Sequence, residues 1–158
     1  MWFSPSFERM VAMGSVKDLT VIKTPIDSSL GEGVFSLSDR YSLFDWGEMP
    51  NEIPGKGQAL CLIGAYFFER LEEQGIGTHY LSLMQRGKAK RLGELDGPTN
   101  EMSVKLVRVV PPELKEGRFD YSVYKTLERN ILVPLEVIYR NVLPAGSSVF
   151  KRLRGGSL

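Results

Sequence analysis

Apolar and polar positions alternate in short stretches along most of this chain and take up a helical period in one long segment. Residues 16–23 (Val-Lys-Asp-Leu-Thr-Val-Ile-Lys) combine β-branched residues with partial alternation and read as a strand. Pro, Asp, Ser and Gly cluster between Pro25 and Gly33, which predicts a turn. Val34, Phe35 and Leu37 then open a second strand ending at Ser38-Asp39-Arg40, and a hairpin is the simplest way to join the two. Residues 50–57 are a loop by composition. From Gln58 to Gln74, Ala59, Leu62, Ile63, Tyr66, Phe67 and Leu71 recur at spacings of three and four, which predicts a helix laying that stripe on a sheet. Gly75 is placed as its left-handed stop.

Beyond the helix, Thr78–Leu83 and Met102–Val110 read as strands, separated by a basic, glycine-bearing segment, Arg86 to Arg91, expected as a hairpin. A helix over Tyr121–Arg129, a strand over Leu132–Tyr139 and a short basic helix from Gly146 to about Leu153 complete the pattern. Strands grouped with a few helices, without regular βαβ alternation, give the class α+β.

Composition narrows the chemistry. The 158 residues, 42% hydrophobic and 25% charged, suffice to bury a core without disulfides or metals. Twenty Lys and Arg against nineteen Asp and Glu leave a net charge of +1, which argues against a dedicated nucleic-acid-binding domain. One Cys and one His exclude an internal disulfide and a Cys/His zinc site. A nucleophile–His enzyme would rest on His79 alone, a residue more often used for packing or positioning. The uncharged stretch between Lys56 and Glu69 is too short to span a bilayer, and the first residues carry a Pro and charges where a signal peptide would be apolar. A cytoplasmic protein with no membrane partner is expected.

Three segments place polar and glycine residues beside strands. Gly14-Ser15-Val16-Lys17 can bring backbone and a cation to a phosphate, or can be an ordinary turn with a solvated lysine. Asp39, Arg40 and Asp45, with Lys56 in the following Ile53-Pro-Gly-Lys-Gly57 loop, can hold a metal–phosphate group or an amino acid; incidental ion pairs are the plain alternative. In the third, Glu136 interrupts an apolar run and needs a polar cleft or a fixed partner. Arg140 can fork onto phosphate or carboxylate, and Ser147 and Ser148 open a helix; Glu136 paired to Arg140, with Ser147 as a cap, is the alternative.

In this order, Gly14 to Leu19, Ser38-Asp-Arg-Tyr-Ser-Leu-Phe-Asp45, Ile53 to Gly57, and Val133-Pro-Leu-Glu-Val-Ile-Tyr-Arg140 leading to Ala145-Gly-Ser147 resemble the SAICAR synthetase family of purine biosynthesis. The aromatic helix with Tyr66, Phe67 and Phe68 fits as well. The resemblance implies an antiparallel N-terminal lobe with packed helices (1–110) and the start of an ATP-grasp-like second lobe (111–158). It implies an ATP- and Mg2+-dependent ligase that joins L-aspartate to the carboxylate of an imidazole ribonucleotide through an acyl phosphate. By motif, Gly14, Ser15, Val16 and Lys17 would cover the ATP phosphates, and Val104–Val107, with Lys105 and Val107, would be an edge for adenine. Glu136 would line the ATP–metal side, and Arg140, Ser147 and Ser148 would hold the imidazole nucleotide. Asp39, Arg40, Asp45 and Lys56 would touch substrate or metal.

Ser15 stands where the family usually has lysine, and four residues rather than three separate Arg140 from the Ala-Gly-Ser turn. Residues 111–130 read as an insertion, and the family's later Asp-x-Lys-hydrophobic-Glu-Phe-Gly stretch is not in the sequence. The chain is therefore expected to be a part, poor in catalysis by itself, with a homo-oligomer open. A non-catalytic nucleotide-binding or regulatory protein on half of the same fold is the alternative. An RNA-binding module using residues 86–91 is a third.

Overall fold

The computed structural model describes residues 11–14, 16–43, 47–127, 129–135 and 137–155. In chain order the elements are β1 (Val11–Met13), β2 (Lys17–Lys23), β3 (Gly31–Leu37), α1 (Lys56–Glu73), β4 (Tyr80–Gln85), β5 (Lys88–Lys90), β6 (Glu101–Leu106), β7 (Glu113–Lys115), β8 (Arg118–Asp120) and α2 (Ser148–Arg154). Six strands form one antiparallel sheet in the order β1-β2-β3-β6-β4-β5, and β7–β8 is a separate hairpin. The expected α+β class, antiparallel sheet and first hairpin are all present.

Register decides which side chains share a face. Leu19 stands opposite Phe35, Val21 opposite Gly33, Phe35 opposite Met102, and both Gly33 and Tyr80 opposite Val104. Directly opposed residues point to the same side of a sheet. That side is the one α1 covers, across β3, β6 and β4. The core between them consists of Cys61, Ala65, Tyr80, Leu83, Met102 and Val104, with Phe35, Leu37, Leu62 and Phe68 packed around it.

α1 has close to its expected bounds, and Gly75 follows it with φ 75°, but the helix presents a different face from the one expected. Gly57, Cys61 and Ala65, spaced by four, point inward. Ile63, Tyr66, Phe67 and Leu71 face solvent, and only Leu62 of the bulky stripe packs on the core. The reason is distance: small residues let the helix backbone come down onto β3. A Cβ on Gly57 would collide with the Leu37 carbonyl, and one on Gly64 would already touch Met102.

Arg86 (φ 51°) and Gly87 (φ 73°) make the two-residue turn that joins β4 to β5, so residues 86–91 are the expected hairpin. Arg91 pairs with Glu69 and Glu72 and Lys90 with Asp96, so only part of its charge is free for a partner.

Two expected elements do not form. Among the described residues of 121–129 there is a single 3-10 turn, Ser122–Lys125, begun by the Asp120 carboxylate on the Ser122 amide. The Tyr124 hydroxyl donates to the Val110 carbonyl, and this tertiary contact overrides the weak local helix signal. The described residues of 132–139 are not a strand. Arg108 bridges to Ile131 in parallel and the Leu132 amide donates to the Arg108 carbonyl at 2.8 Å; there the pairing stops. β6 already has β3 and β4 on its two sides, so the apolar run finds no ladder edge, and Val137 is 91% exposed. No helix among the described residues is long and apolar enough to cross a membrane.

Gly57→Ala is expected to cost about 1–3 kcal/mol, because the added methyl meets backbone that cannot yield. Gly93→Ala, in open space, is expected to stay within about 0.5 kcal/mol. Urea unfolding of both variants measures the contrast.

Candidate active site

The segments around Gly14, Ser38–Arg40 and Gly55–Gly57 form one interlocked cluster. β1 and β2 are closed by a tight turn in which the Gly14 amide donates to the Lys17 carbonyl at 3.0 Å. Ser38 donates to the Val16 carbonyl through both its amide and its hydroxyl, each at 3.0 Å. Arg40 Nη2 reaches the Gly14 carbonyl at 2.9 Å and Asp18 Oδ1 at 2.7 Å, and its Nε faces Glu48 at 3.5 Å.

In the other direction, Asp39 caps α1 from outside the helix. Its Oδ2 accepts from the Gly55 amide at 2.9 Å and its Oδ1 from the Gly57 amide at 2.8 Å. α1 has no side-chain cap of its own, so this carboxylate satisfies orphan donors at the positive end of the helix. Lys56 Nζ closes the arrangement on the carbonyls of Ser38 (2.9 Å) and Arg40 (2.6 Å). Asp39, Arg40 and Lys56 are therefore brought together, and each is engaged within the protein. Ser15, Asp45 and Glu136 lie outside the described residues.

Lys17, on the core face of β2, holds its ammonium 4.3 Å from the centre of the Phe35 ring. Phe35 and His79 meet edge to face, as do His79 and Phe68. Burial pushes the His79 pKa below its ordinary value, and the charges of Lys17 and Lys105 lower it further, so the imidazole is neutral near pH 7.

Two cavities adjoin along the connecting segment that leaves β6, the hinge of residues 107–110. One, of about 560 Å³, has Phe35, Thr78, His79 and Lys105 on its walls; the other, of about 470 Å³, has Leu19, Val21, Thr24 and Pro25. Leu106, Val107 and Val109 are common to both. β6 lies inside the sheet and is not the expected edge: the Lys105 amide is spent on the His79 carbonyl at 2.7 Å, and Lys105 Nζ donates to the Thr78 carbonyl at 3.2 Å. Past β6, Arg108 bonds Asn130 and Leu132 through its peptide groups, while those of Val107 and Val109 bond no described residue. The free peptide groups thus sit on apolar walls one step beyond the strand. Val109 and Val21 escape a motif search, and Leu19 closes the first motif without being singled out; the alternation of Val107 and Val109 about Arg108 was the available signal.

Arg140 and Ser147 also meet. Arg140 Nη1 donates to Ser147 Oγ at 3.0 Å, and that buried hydroxyl oxygen accepts from the Val149 amide at 3.3 Å as α2 begins. Ser148 is the first residue of α2.

The Asp39 carboxyl is held below its ordinary pKa, first by the Gly57 amide and then by the Gly55 amide. A carboxyl depressed on folding stabilises the protein above its unfolded pKa, and that contribution is lost as pH falls through the folded value. Asp39→Asn is expected to lower Tm at pH 7, with the gap to the unaltered protein closing as the pH drops below about 4, near the unperturbed carboxylate value. Melts across that range check it; a gap independent of pH contradicts it.

Comparison with known proteins identifies the family. The family description SAICAR synthetase matches residues 10–157. A protein of Archaeoglobus fulgidus, provisionally named phosphoribosylaminoimidazole-succinocarboxamide synthase, is 57% identical over 144 residues, covering 91% of this chain and 42% of the relative. The phosphoribosylaminoimidazole-succinocarboxamide synthase of Thermoplasma acidophilum is 27% identical over 149 residues, covering 94% of this chain and 39% of its own length. The chain thus spans about two fifths of the curated relatives it matches. Matched along residues 10–157 and 57% identical to a relative over 91% of its length, the chain belongs to the SAICAR synthetase family.

Proposed function

We propose that this chain is the nucleotide-binding part of an ATP-dependent ligase that joins L-aspartate to the carboxylate of an imidazole ribonucleotide through an acyl phosphate. The observation that carries the reading is the pair of unspent peptide groups at Val107 and Val109 on apolar walls. An adenine ring needs that combination, flat apolar contact along its faces and peptide hydrogen bonds at its edge.

The strand geometry supports the direction of the rest of the nucleotide. Leu19 and Val21 wall the hinge cavity, and Lys17 lies on the same face of β2 one step nearer the Gly14 turn. Adenine against Leu19 and Val21 therefore sends the phosphates toward Lys17, whose ammonium neutralises charge on the group being transferred. The Arg40 bond to the Gly14 carbonyl holds that turn in place.

Arg140 and Ser147 hold the imidazole ribonucleotide: the guanidinium forks onto an anionic group and the hydroxyl fixes the guanidinium. The family resemblance assigns Glu136 to the ATP–metal side. ATP supplies the phosphoryl group that turns the carboxylate into an acyl phosphate, and the chain's own part is to orient the reactants and keep water out. Among the described residues no three His, Cys, Asp or Glu side chains stand together as metal ligands, so no protein ligand is assigned to Mg2+.

Calorimetry of the whole chain is the test. Lys17→Ala is expected to weaken ATP about tenfold or more, a loss of about 1.4 kcal/mol or more, with little effect on the imidazole nucleotide. Arg140→Ala is expected to do the reverse. Unchanged affinity for both ligands in both variants would overturn the assignment. ATP binding without phosphoryl transfer by a protein that carries the rest of the family's length would favour the regulatory reading.

A further inference from the structure

Arg108 stands where the hinge, the β2–β3 turn and the residues after the 3-10 turn converge. A cavity of about 220 Å³ at this point is lined by Asp27, Arg108, Thr126, Leu127 and Arg129. Its lining differs from that of the apolar hinge cavities: among the described residues it draws on two arginines, Arg108 and Arg129, and one acid, Asp27. Asn130 fixes one wall, its side-chain amide donating to the carbonyls of Ile26 and Asp27 at 3.1 Å each.

The charges here are unevenly matched. Arg108 Nη1 pairs with Asp27 Oδ1 at 2.5 Å, but the Asp27 side chain is 82% exposed, and such a partner contributes little. Arg108 Nε is buried and bonds no described residue. Nη2 reaches only the Arg129 carbonyl, at the outer limit of 3.5 Å. The Nε–Nη2 edge is the one with which a guanidinium grips an oxyanion through two parallel bonds, and here it is almost unspent. The Arg129 side chain makes no hydrogen bond or ion pair with a described residue. A buried donor that finds no acceptor among the described residues, in a cavity that a second arginine lines, suits an anion.

We infer that this cavity is an oxyanion site, taking the phosphoryl or carboxylate group of a small solute between Arg108 and Arg129 while Asp27 gives way. It is separate from the phosphate position proposed at Lys17 and does not depend on that reading. The residues that form it come from the β2–β3 turn, the hinge and the 111–130 segment, so the apparent insertion has a ligand-binding role.

The probes are inorganic phosphate and acetate, each titrated into the whole chain at constant ionic strength while the arginine Nε–H resonances are followed by NMR. A saturable shift is expected, weakened about tenfold or more in Arg129→Gln and in Arg108→Gln and kept in Lys17→Ala. Tighter phosphate binding identifies a phosphoryl ligand and tighter acetate binding a carboxylate; both support the site. The exposed side chain of Arg129 can be replaced without disturbing the hinge, so that variant decides the matter if Arg108→Gln unfolds. Non-saturating shifts with both anions, unchanged binding in Arg129→Gln, or binding lost only in Lys17→Ala would overturn the inference.

Discussion

One carboxylate organises the lobe. Asp39 accepts from the amides of Gly55 and Gly57 with its two oxygens, and Lys56, between those glycines, returns two hydrogen bonds to the carbonyls on either side of Asp39. The exchange joins the end of β3 to the start of α1 at a point where the chain has travelled sixteen to eighteen residues. It also neutralises the positive helix end with the opposite charge, which a local cap would do less completely. From the same three residues, Ser38 and Arg40 reach back to the β1–β2 turn. The β1–β2 turn, the helix and the central strand are thereby held in one relation to each other.

The second constraint is thickness. With its start fixed, α1 can lie close to β3 only along a row of small residues, and Gly57, Cys61 and Ala65 provide it. The core that results is narrow, and much apolar bulk stays outside it, on the outer face of α1 and along residues 132–143. Where α1 ends, the sheet face continues uncovered past Phe35, Leu106 and Val107, and this opens the hinge cavities. Fold and cavities thus have one cause: a helix that seals part of the sheet and leaves the rest open.

Features set by neighbours in sequence were legible there. The first hairpin, the helix limits and the Gly75 stop, and the β4–β5 turn all follow from local residue chemistry. Features set by distant partners were not. The bulky stripe of α1 misleads because closeness of approach, not bulk, selects the buried face. The 132–139 run reads as a strand, but it meets the sheet beside β6, which β3 and β4 already flank. The site motifs were visible as residue types, yet their physical engagement was not: Asp39, Arg40 and Lys56 hold one another's backbone, and Arg140 meets Ser147 across seven residues. Val109 and Arg108 carried no motif, because a hinge is defined by which peptide groups remain unpaired.

In the proposed function adenine is read by those unpaired groups. Backbone amide NMR of the 15N-labelled chain, recorded as an adenine nucleotide is added, addresses it directly. The account predicts saturable shifts at the Val107 or Val109 amide, with smaller changes at Arg108, whose amide is already bonded to Asn130. Saturable nucleotide binding that leaves the amides of residues 106–110 unmoved would contradict it.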